Sequence, residues 1–349
     1  MKTPLYEWHV THGAKMVDFA GWQMPIHYGS QLEEHQCVRN QAGLFDVSHM
    51  NVVDVTGKDA KEYLQKLCAN NIEKLIPGKA LYTCMLDNSA GIIDDLIVYY
   101  IAENNYRLVL NAGTREKDLN WLNKIISNFD VQIYPRDKMA IIALQGPEAV
   151  NIAKNRFEHN FPEKTFYFSF VDNIMIARTG YTGEDGVEII CPADQAEKIW
   201  NQFIHAGAKP IGLGARDSLR LEAGLNLYGS DMDESVTPLE SNVSWTVAWE
   251  PADRNFIGRE KLEEQKNAGI PQKLIGLMLE TGGVLRHGQK VFSQGNEIGV
   301  ITSGGFSPTL NVSIAMARIE NKVFDEMAVE IRGKHLPVKL VPLPFIKKR

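Results

Sequence analysis

Short apolar runs separated by glycine turns alternate with helix-spaced stripes along most of this chain. NVVDVTG, from Asn51, predicts a strand that stops at Gly57. KDAKEYLQKLCAN then places Ala60, Tyr63, Leu64, Leu67 and Cys68 at the spacing of one helical face. ALYTCML, IIDDLIVYYIA and YRLVLNA follow as hairpin-like strands. After Thr114, a residue suited to a helix N-cap, the stripe Leu119, Leu122, Ile126 and Phe129 predicts a further helix. Upstream, FAGWQMPIHYGS is loop-rich and leads into a helix over residues 31 to 41.

The order then recurs. MAIIALQGPEAVNIAKNRF repeats the strand, glycine and helix of NVVDVTGKDAKEYLQKL, with Pro147 placed for a helix's first turn. GVEIICPADQAEKIWNQF likewise echoes YRLVLNAGTREKDLNWL, a strand followed by an amphipathic helix. Two copies about 90 residues apart predict two related, mostly antiparallel α+β units and no solenoid. From Leu274 onward, short strands and Gly turns predict a small β-barrel or jelly-roll.

One run breaks its own pattern. In GIIDDLIVYY, Asp94 and Asp95 interrupt residues suited to a buried strand, where an unpaired carboxylate is costly. Alternation puts Ile93, Asp95, Ile97 and Tyr99 on one face and Ile92, Asp94, Leu96 and Val98 on the other. The two acids therefore look in opposite directions, one toward a turn or solvated edge and the other into the protein or a pocket.

Composition narrows the partners. A chain of 349 residues is long for one core and suggests two or three domains. A formal charge of −6 gives no basic footprint, so nucleic acid is not an expected partner and a small ligand or a protein is. Cys37, Cys68, Cys84 and Cys191 are scattered, without a C-x-x-C pair, and read as reduced thiols of a cytoplasmic protein. With no apolar leader segment and no run of 18 apolar residues, no membrane association is expected.

The usual chemical motifs are missing. There is no phosphate-binding P-loop and no G-x-S-x-G elbow, and GLGARD at 212–217 reads as a helix start, since its glycine pattern is incomplete for a dinucleotide turn. His9 and His12 stand at H-x-x-H spacing without a third ligand, so no metal is expected. His49 reads as a hydrogen-bonded structural histidine. What remains is acids and one arginine in unusual company. Glu188 sits inside the apolar strand after YTGEDG, where the plain alternative is a surface acid on an edge strand. Arg216 opens a helix with Asp217, Arg220 and Glu222 nearby, where the plain alternative is a surface ion-pair cluster. Tyr82 and Asn111 read as ordinary residues at or near strand ends.

These residues gain meaning from a resemblance. TPLYEWHVTHGAKMVDFAGWQMPIHYGS, GLFDVSHM, AGIIDDLIVYY, LNAGTREKDLNW, ALQGPEA, RTGYTGEDGVEI, GLGARDSLRLEAGLNLYGSDMDE and ITSGGFSPTL, in this order, closely resemble the aminomethyltransferase (T protein) family of the glycine cleavage system along nearly the whole chain. The resemblance implies a three-domain α+β clover-leaf. Residues 1–50 and 137–250 would form a discontinuous folate-binding α+β domain, 51–136 an inserted α+β domain carrying the Asp94–Asp95 pair, and 251–349 a C-terminal β-barrel. It also implies the reaction: an aminomethyl group on the dihydrolipoyl arm of the H protein passes to tetrahydrofolate, releasing ammonia and forming 5,10-methylenetetrahydrofolate.

Residue by residue, the resemblance makes Asp95 the catalytic acid, against nitrogen 10 of the folate, and leaves Asp94 to structure. Glu188 matches the acid that binds the pterin, Arg216 the folate-contacting arginine, and Tyr82, Asn111, Tyr181 and Met50 match pocket positions. Two departures stand out. Some members carry two tyrosines where this chain has Tyr167 and Phe168, and the C-terminal ligand contact falls near Lys347, where the match is poor. A monomer is expected. Two relatives give other readings: a folate-dependent demethylase module, and a non-catalytic folate-binding iron–sulfur maintenance protein. The latter carries K-G-C-Y-x-G-Q-E where this chain has RTGYTGEDG.

Overall fold

The structure, a computed structural model, describes residues 1–347. After a short helix, Tyr6–Thr11, the chain forms a hairpin of β1 (Lys15–Phe19) and β2 (Trp22–His27). Eleven further strands build two sheets: β3 (Gly43–Asp46), β4 (Asn51–Thr56), β5 (Ala80–Leu86), β6 (Ile92–Ala102), β7 (Asn105–Leu110), β8 (Gln132–Pro135), β9 (Met139–Gln145), β10 (Phe168–Val171), β11 (Ile174–Ala177), β12 (Gly186–Pro192) and β13 (Lys209–Pro210). The last six, β14 (Gln272–Leu279), β15 (Lys290–Ser293), β16 (Asn296–Ser307), β17 (Val312–Glu320), β18 (Met327–Ile331) and β19 (Lys334–Val341), close into the barrel expected from the short strands and Gly turns.

The internal repeat is visible in the strand order. One sheet runs β5-β6-β7-β4-β8 and the other β10-β11-β12-β9-β3-β13. Aligning β4 with β9 and β7 with β12 superposes the first five positions of both, with β13 added in parallel at the far edge. The helices follow suit: Ala60–Leu67 and Arg115–Ile125 follow β4 and β7, as Ala149–Phe157 and Ala196–His205 follow β9 and β12. The second sheet packs its apolar face, including Leu44, Ile142, Leu144, Ile176, Val187 and Ile189, against Ala153, Phe157, Ile199, Trp200 and Phe203 of those helices.

The described residues fall into two compact units. The first comprises Met1–Leu64, Ile72–Tyr82 and Leu96–Asp217, and the second Gln65–Asn71, Thr83–Asp95 and Ser218–Arg349 as far as described. Within the first, Gly212 precedes the helix Leu213–Glu222, so the GLGARD segment is a helix start as expected. The Gly212 N–H donates to Glu34 Oε2 at 2.8 Å, and the other oxygen of Glu34 takes the Tyr28 N–H at 2.7 Å. A Cβ on Gly212 would lie 2.3 Å from the Ile26 carbonyl oxygen, a backbone atom that cannot swing away. Gly212→Ala is therefore expected to cost about 1–3 kcal/mol of stability, read as a lower urea midpoint at unchanged slope.

In the second unit, the alternative of a surface ion-pair cluster is ruled out for Arg220 and Glu222. Arg220 is 3% and Glu222 0% exposed. Arg220 donates to Asp231 at 2.9 Å and to Ser303 at 2.9 Å, while Glu222 accepts from Ser307 at 2.6 Å and from the Thr309 N–H and hydroxyl. Buried charges persist where they have specific hydrogen-bond partners from distant segments, which periodicity cannot reveal. Arg254 is a similar clamp. It donates to the carbonyls of Ala69, Cys68, Asn70 and Ala248, which ties residues 68–70 to the segment before the barrel.

Candidate functional site

Within the first unit, β12 carries Glu188, opposite Ala177 of β11 and Ala143 of β9. Strands flank β12 on both sides, so the alternative of an edge-strand surface acid is ruled out. Glu188 is half-buried, and Thr179 donates its hydroxyl to Oε2 at 2.5 Å. The phenol of Tyr99 lies 3.4 Å from the same hydroxyl. Burial raises the Glu188 carboxyl above its ordinary value, and the Thr179 hydrogen bond and the Arg216 charge oppose that rise.

Arg216 stands in the first turn of the helix Leu213–Glu222, and its guanidinium lies over the Tyr181 ring at 4.5 Å from the centroid. Thr179 and Tyr181 ride on the RTGYTGEDG loop between β11 and β12. Two buried side chains far off in sequence pin that loop. Gln145 donates to the Thr179 carbonyl at 3.2 Å and accepts from the Thr182 hydroxyl at 2.9 Å. Arg39 donates to the Thr182 carbonyl at 2.9 Å and to Glu184 at 2.7 Å. The loop is thus fixed from beneath, which holds Thr179 and Tyr181 beside Glu188 and Arg216.

A second strand pair brings in Met50 and Asn111. Asn51 pairs with Leu110 across β4 and β7, and its side chain donates to the Asn111 carbonyl at 2.6 Å. Thr114 occupies the expected N-cap position but does not cap; its hydroxyl donates to that same carbonyl at 3.0 Å. Met50 ends a buried turn set by Asp46, which accepts the Ser48 N–H at 2.9 Å. Asp46 in turn faces His9 at 2.9 Å, and the Tyr28 hydroxyl meets the other ring nitrogen of His9 at 2.7 Å. His12 stacks on Trp8 at 3.8 Å. The H-x-x-H spacing therefore serves packing, and among the described residues no group of three or more His, Cys, Asp or Glu side chains gathers as a metal site would require.

The expectation for His49 needs correction. Its ring is buried, yet Nδ1 has no hydrogen-bond partner, and Phe19 packs on it edge to face at 5.5 Å. Burial, and then the Arg216 charge, drive its pKa down to about 3, with Asp46 pulling the other way. His49 is therefore uncharged at neutral pH.

Tyr82 belongs to the same unit, half-buried near the start of β5. At the position where relatives vary, Phe168 is buried with its ring 5.5 Å from that of Tyr99, so no hydroxyl is presented there. Asp95 belongs to the second unit, in β6. Asp94 is fully buried while Asp95 is half-buried, so alternation did separate the two acids. Burial first, and then the Asp95 charge, push the nearby Cys84 thiol far above its ordinary value. All four cysteines are free thiols. Each of Met50, Tyr82, Asp95, Asn111, Tyr181, Glu188 and Arg216 keeps a partly open surface although most of their strand neighbours are buried.

Residues 5–251 match the family described as the GCVT N-terminal domain, and residues 272–347 match the glycine cleavage T-protein C-terminal barrel domain. The chain belongs to the glycine cleavage T-protein family. A T-protein relative, the aminomethyltransferase of Pseudomonas syringae pv. tomato, is 53% identical over 352 residues, covering 99% of this chain and 98% of that one. The crystal structure of glycine cleavage system aminomethyltransferase T from Bartonella henselae matches with a TM-score of 0.95 at 35% identity, over 100% of this chain and 99% of that chain. As a member of the T-protein family the chain is an enzyme, an aminomethyltransferase of the glycine cleavage system. Among the described residues no helix is long and apolar enough to cross a membrane.

Proposed function

We propose that this enzyme takes the aminomethyl group from the dihydrolipoyl arm of a lipoyl-bearing H protein and gives its carbon to tetrahydrofolate. Ammonia leaves with one folate N–H proton and the C–S bond breaks to give a thiol with the other. The carbon ends bonded to two folate nitrogens as 5,10-methylenetetrahydrofolate. The folate is a substrate here, and no step calls for a metal.

One observation carries the proposal: Glu188, oriented by Thr179, shares its surroundings with an arginine whose guanidinium lies over the Tyr181 ring. A carboxylate pairs two-pronged with an amino-pyrimidine edge that offers adjacent N–H donors. The guanidinium supplies a planar fork for acceptors, and Met50, Asn111, Tyr82 and Tyr181 would complete the folate contacts. Asp95 is proposed as the catalytic group. As an ionised carboxylate it accepts the N–H of folate nitrogen 10 and stabilises the cationic carbon as the C–S bond breaks. The relative's identity over the full chain favours this reading over the demethylase and the maintenance protein.

The border at residues 250 and 251 in the proposed division into 1–50 with 137–250, 51–136 and 251–349 is supported by the end of the N-terminal family match at residue 251. A cytoplasmic monomer that engages neither nucleic acid nor membrane completes the proposal.

Calorimetric titration with tetrahydrofolate tests the binding half. Arg216→Lys keeps the charge but loses the fork and the stacking plane, so affinity is expected to fall about tenfold. Unchanged affinity would remove Arg216 from the site.

A further inference from the structure

Two buried hydroxyls stand in line behind Glu188. Thr179 donates its hydroxyl to Glu188 Oε2 at 2.5 Å, and the Tyr99 hydroxyl lies 3.4 Å from the same Thr179 oxygen. A hydroxyl carries a single hydrogen. With the Thr179 hydrogen directed at Glu188, the Thr179 oxygen can only accept, so the hydrogen between the two hydroxyls comes from the phenol. The relay therefore runs one way, from Tyr99 to Thr179 to Glu188, and ends on an oxygen that accepts.

Both donors are enclosed and fixed. Tyr99 is 1% and Thr179 6% exposed. Phe168 packs edge to face on the Tyr99 ring at 5.5 Å and brings no hydroxyl of its own. Among the described residues the Tyr99 hydroxyl has no hydrogen-bond partner besides Thr179. Beneath Thr179, Gln145 Nε2 donates to the Thr179 carbonyl at 3.2 Å, and a Cβ on the next residue, Gly180, would lie 2.0 Å from Gln145 Oε1. The backbone that aims the Thr179 hydroxyl thus has little room to shift.

A proton on Oε2 of Glu188 would force the Thr179 hydrogen to turn toward Tyr99. The phenol hydrogen would then be buried without an acceptor, which is unfavourable. A proton on Oε1 would leave Thr179 donating to a neutral carboxyl, a weaker acceptor than a carboxylate, and would set a donor where a ligand N–H has to bind. The relay thus favours the ionised carboxylate, which burial disfavours. Arg216, from the helix, works in the same direction as Thr179, while Ala143 and Ala177, opposite Glu188 on the flanking strands, carry no charge.

We propose that Tyr99 and Thr179 are positioning residues for Glu188: a one-way hydroxyl relay that engages Oε2 from within the protein, keeps the carboxyl an acceptor, and so selects a ligand edge made of N–H donors. This deepens the folate reading of the site and rests on it. Both residues act through Glu188, and neither hydroxyl is assigned a contact with the ligand.

Calorimetric titration of full-chain variants with tetrahydrofolate over a pH series tests it. Thr179→Val keeps the branched shape and loses the hydroxyl. Its dissociation constant is expected to rise about tenfold, and the pH at which affinity develops to move upward, because the ionised form has lost a donor. Thr179→Ser keeps a hydroxyl and is expected to bind within about threefold of the unsubstituted protein. In a Glu188→Gln background there is no proton to place, so Thr179→Val is expected to move no pH profile. Tyr99→Phe alone is expected to weaken binding about threefold with an upward shift of the profile, and to add less than about 1.5-fold in the Thr179→Val background. Should Thr179→Val fold poorly, Tyr99→Phe carries the same pH test.

A second readout needs no folate. By NMR of carboxyl-labelled glutamate, with the Glu188 signal assigned by its loss in Glu188→Gln, the Glu188 carboxyl is expected to titrate at higher pH in Thr179→Val than in the unsubstituted protein. An unmoved titration, failure of Thr179→Ser to keep the affinity, or a Tyr99→Phe factor that persists in full in the Thr179→Val background would each overturn the inference. If the unsubstituted protein binds no tetrahydrofolate, the folate reading falls while the carboxyl titration still decides the relay. If it binds and the titration does not move, only the relay is lost.

Discussion

Replacing Asp95 with Asn is expected to slow aminomethyl transfer by roughly 10²–10⁴-fold, the usual scale for a positioned acid or base. The substitution keeps size and shape, and Asp95 is half-buried in a strand whose neighbours Ile93, Asp94 and Leu96 hold the backbone in place. The fold should therefore persist. An amide oxygen can still accept one hydrogen bond, so folate affinity should change by less than about tenfold. What the amide cannot do is carry the negative charge that faces a carbon becoming cationic. The loss belongs in the single-turnover rate at saturating folate. Loss below tenfold, with affinity intact, would take the catalytic role away from Asp95.

Glu188→Gln is expected to weaken tetrahydrofolate binding by about 10–100-fold, the scale of hydrogen bonds to a charged group. Stability should move the other way. Burial raises the Glu188 carboxyl above its ordinary value, opposed by Thr179 and Arg216. A group with a raised folded-state pKa contributes stability that is fully present below its unfolded pKa and is lost as pH climbs through the folded one. Above its unfolded pKa the raised Glu188 carboxyl is therefore a net cost to the fold, and the Glu188→Gln variant should melt no lower than the unsubstituted protein. Binding has the opposite slope, because the pterin edge needs the ionised form: affinity in the unsubstituted protein should rise as pH climbs above the ordinary carboxylate value. The substituted amide has nothing to titrate, so that pH dependence should flatten. A variant that melts markedly lower while binding folate normally would mean that Glu188 is structural.

Alternation and turn glycines read the architecture well, since the strands around Asn51, Ile92, Asn105 and Gly186 start or stop where their polarity changes. The internal repeat was legible for the same reason, and the shared strand order explains it. Asp94 and Asp95 were separable because a strand has a period of two. Contacts between residues distant in sequence left no trace in any local pattern. Gln145 and Arg39 pin the RTGYTGEDG loop across more than thirty and one hundred residues respectively. The sequence left a surface ion-pair cluster open for Arg220 and Glu222 because their partners, Asp231, Ser303, Ser307 and Thr309, come from other segments. Thr114 matched the N-cap pattern, yet its hydroxyl holds the Asn111 carbonyl. His49 was visible in FDVSHM, but only the fold shows that its ring is buried and uncharged.

The central claim is transfer of a one-carbon unit to folate, and a single-turnover reaction tests it most directly. The purified protein would be mixed with aminomethyl-loaded lipoyl H protein and tetrahydrofolate, with ammonia and 5,10-methylenetetrahydrofolate followed together. Stoichiometric, folate-dependent release of both is the expected result. Folate binding with release of neither would contradict the account and leave Asp95 without a chemical role.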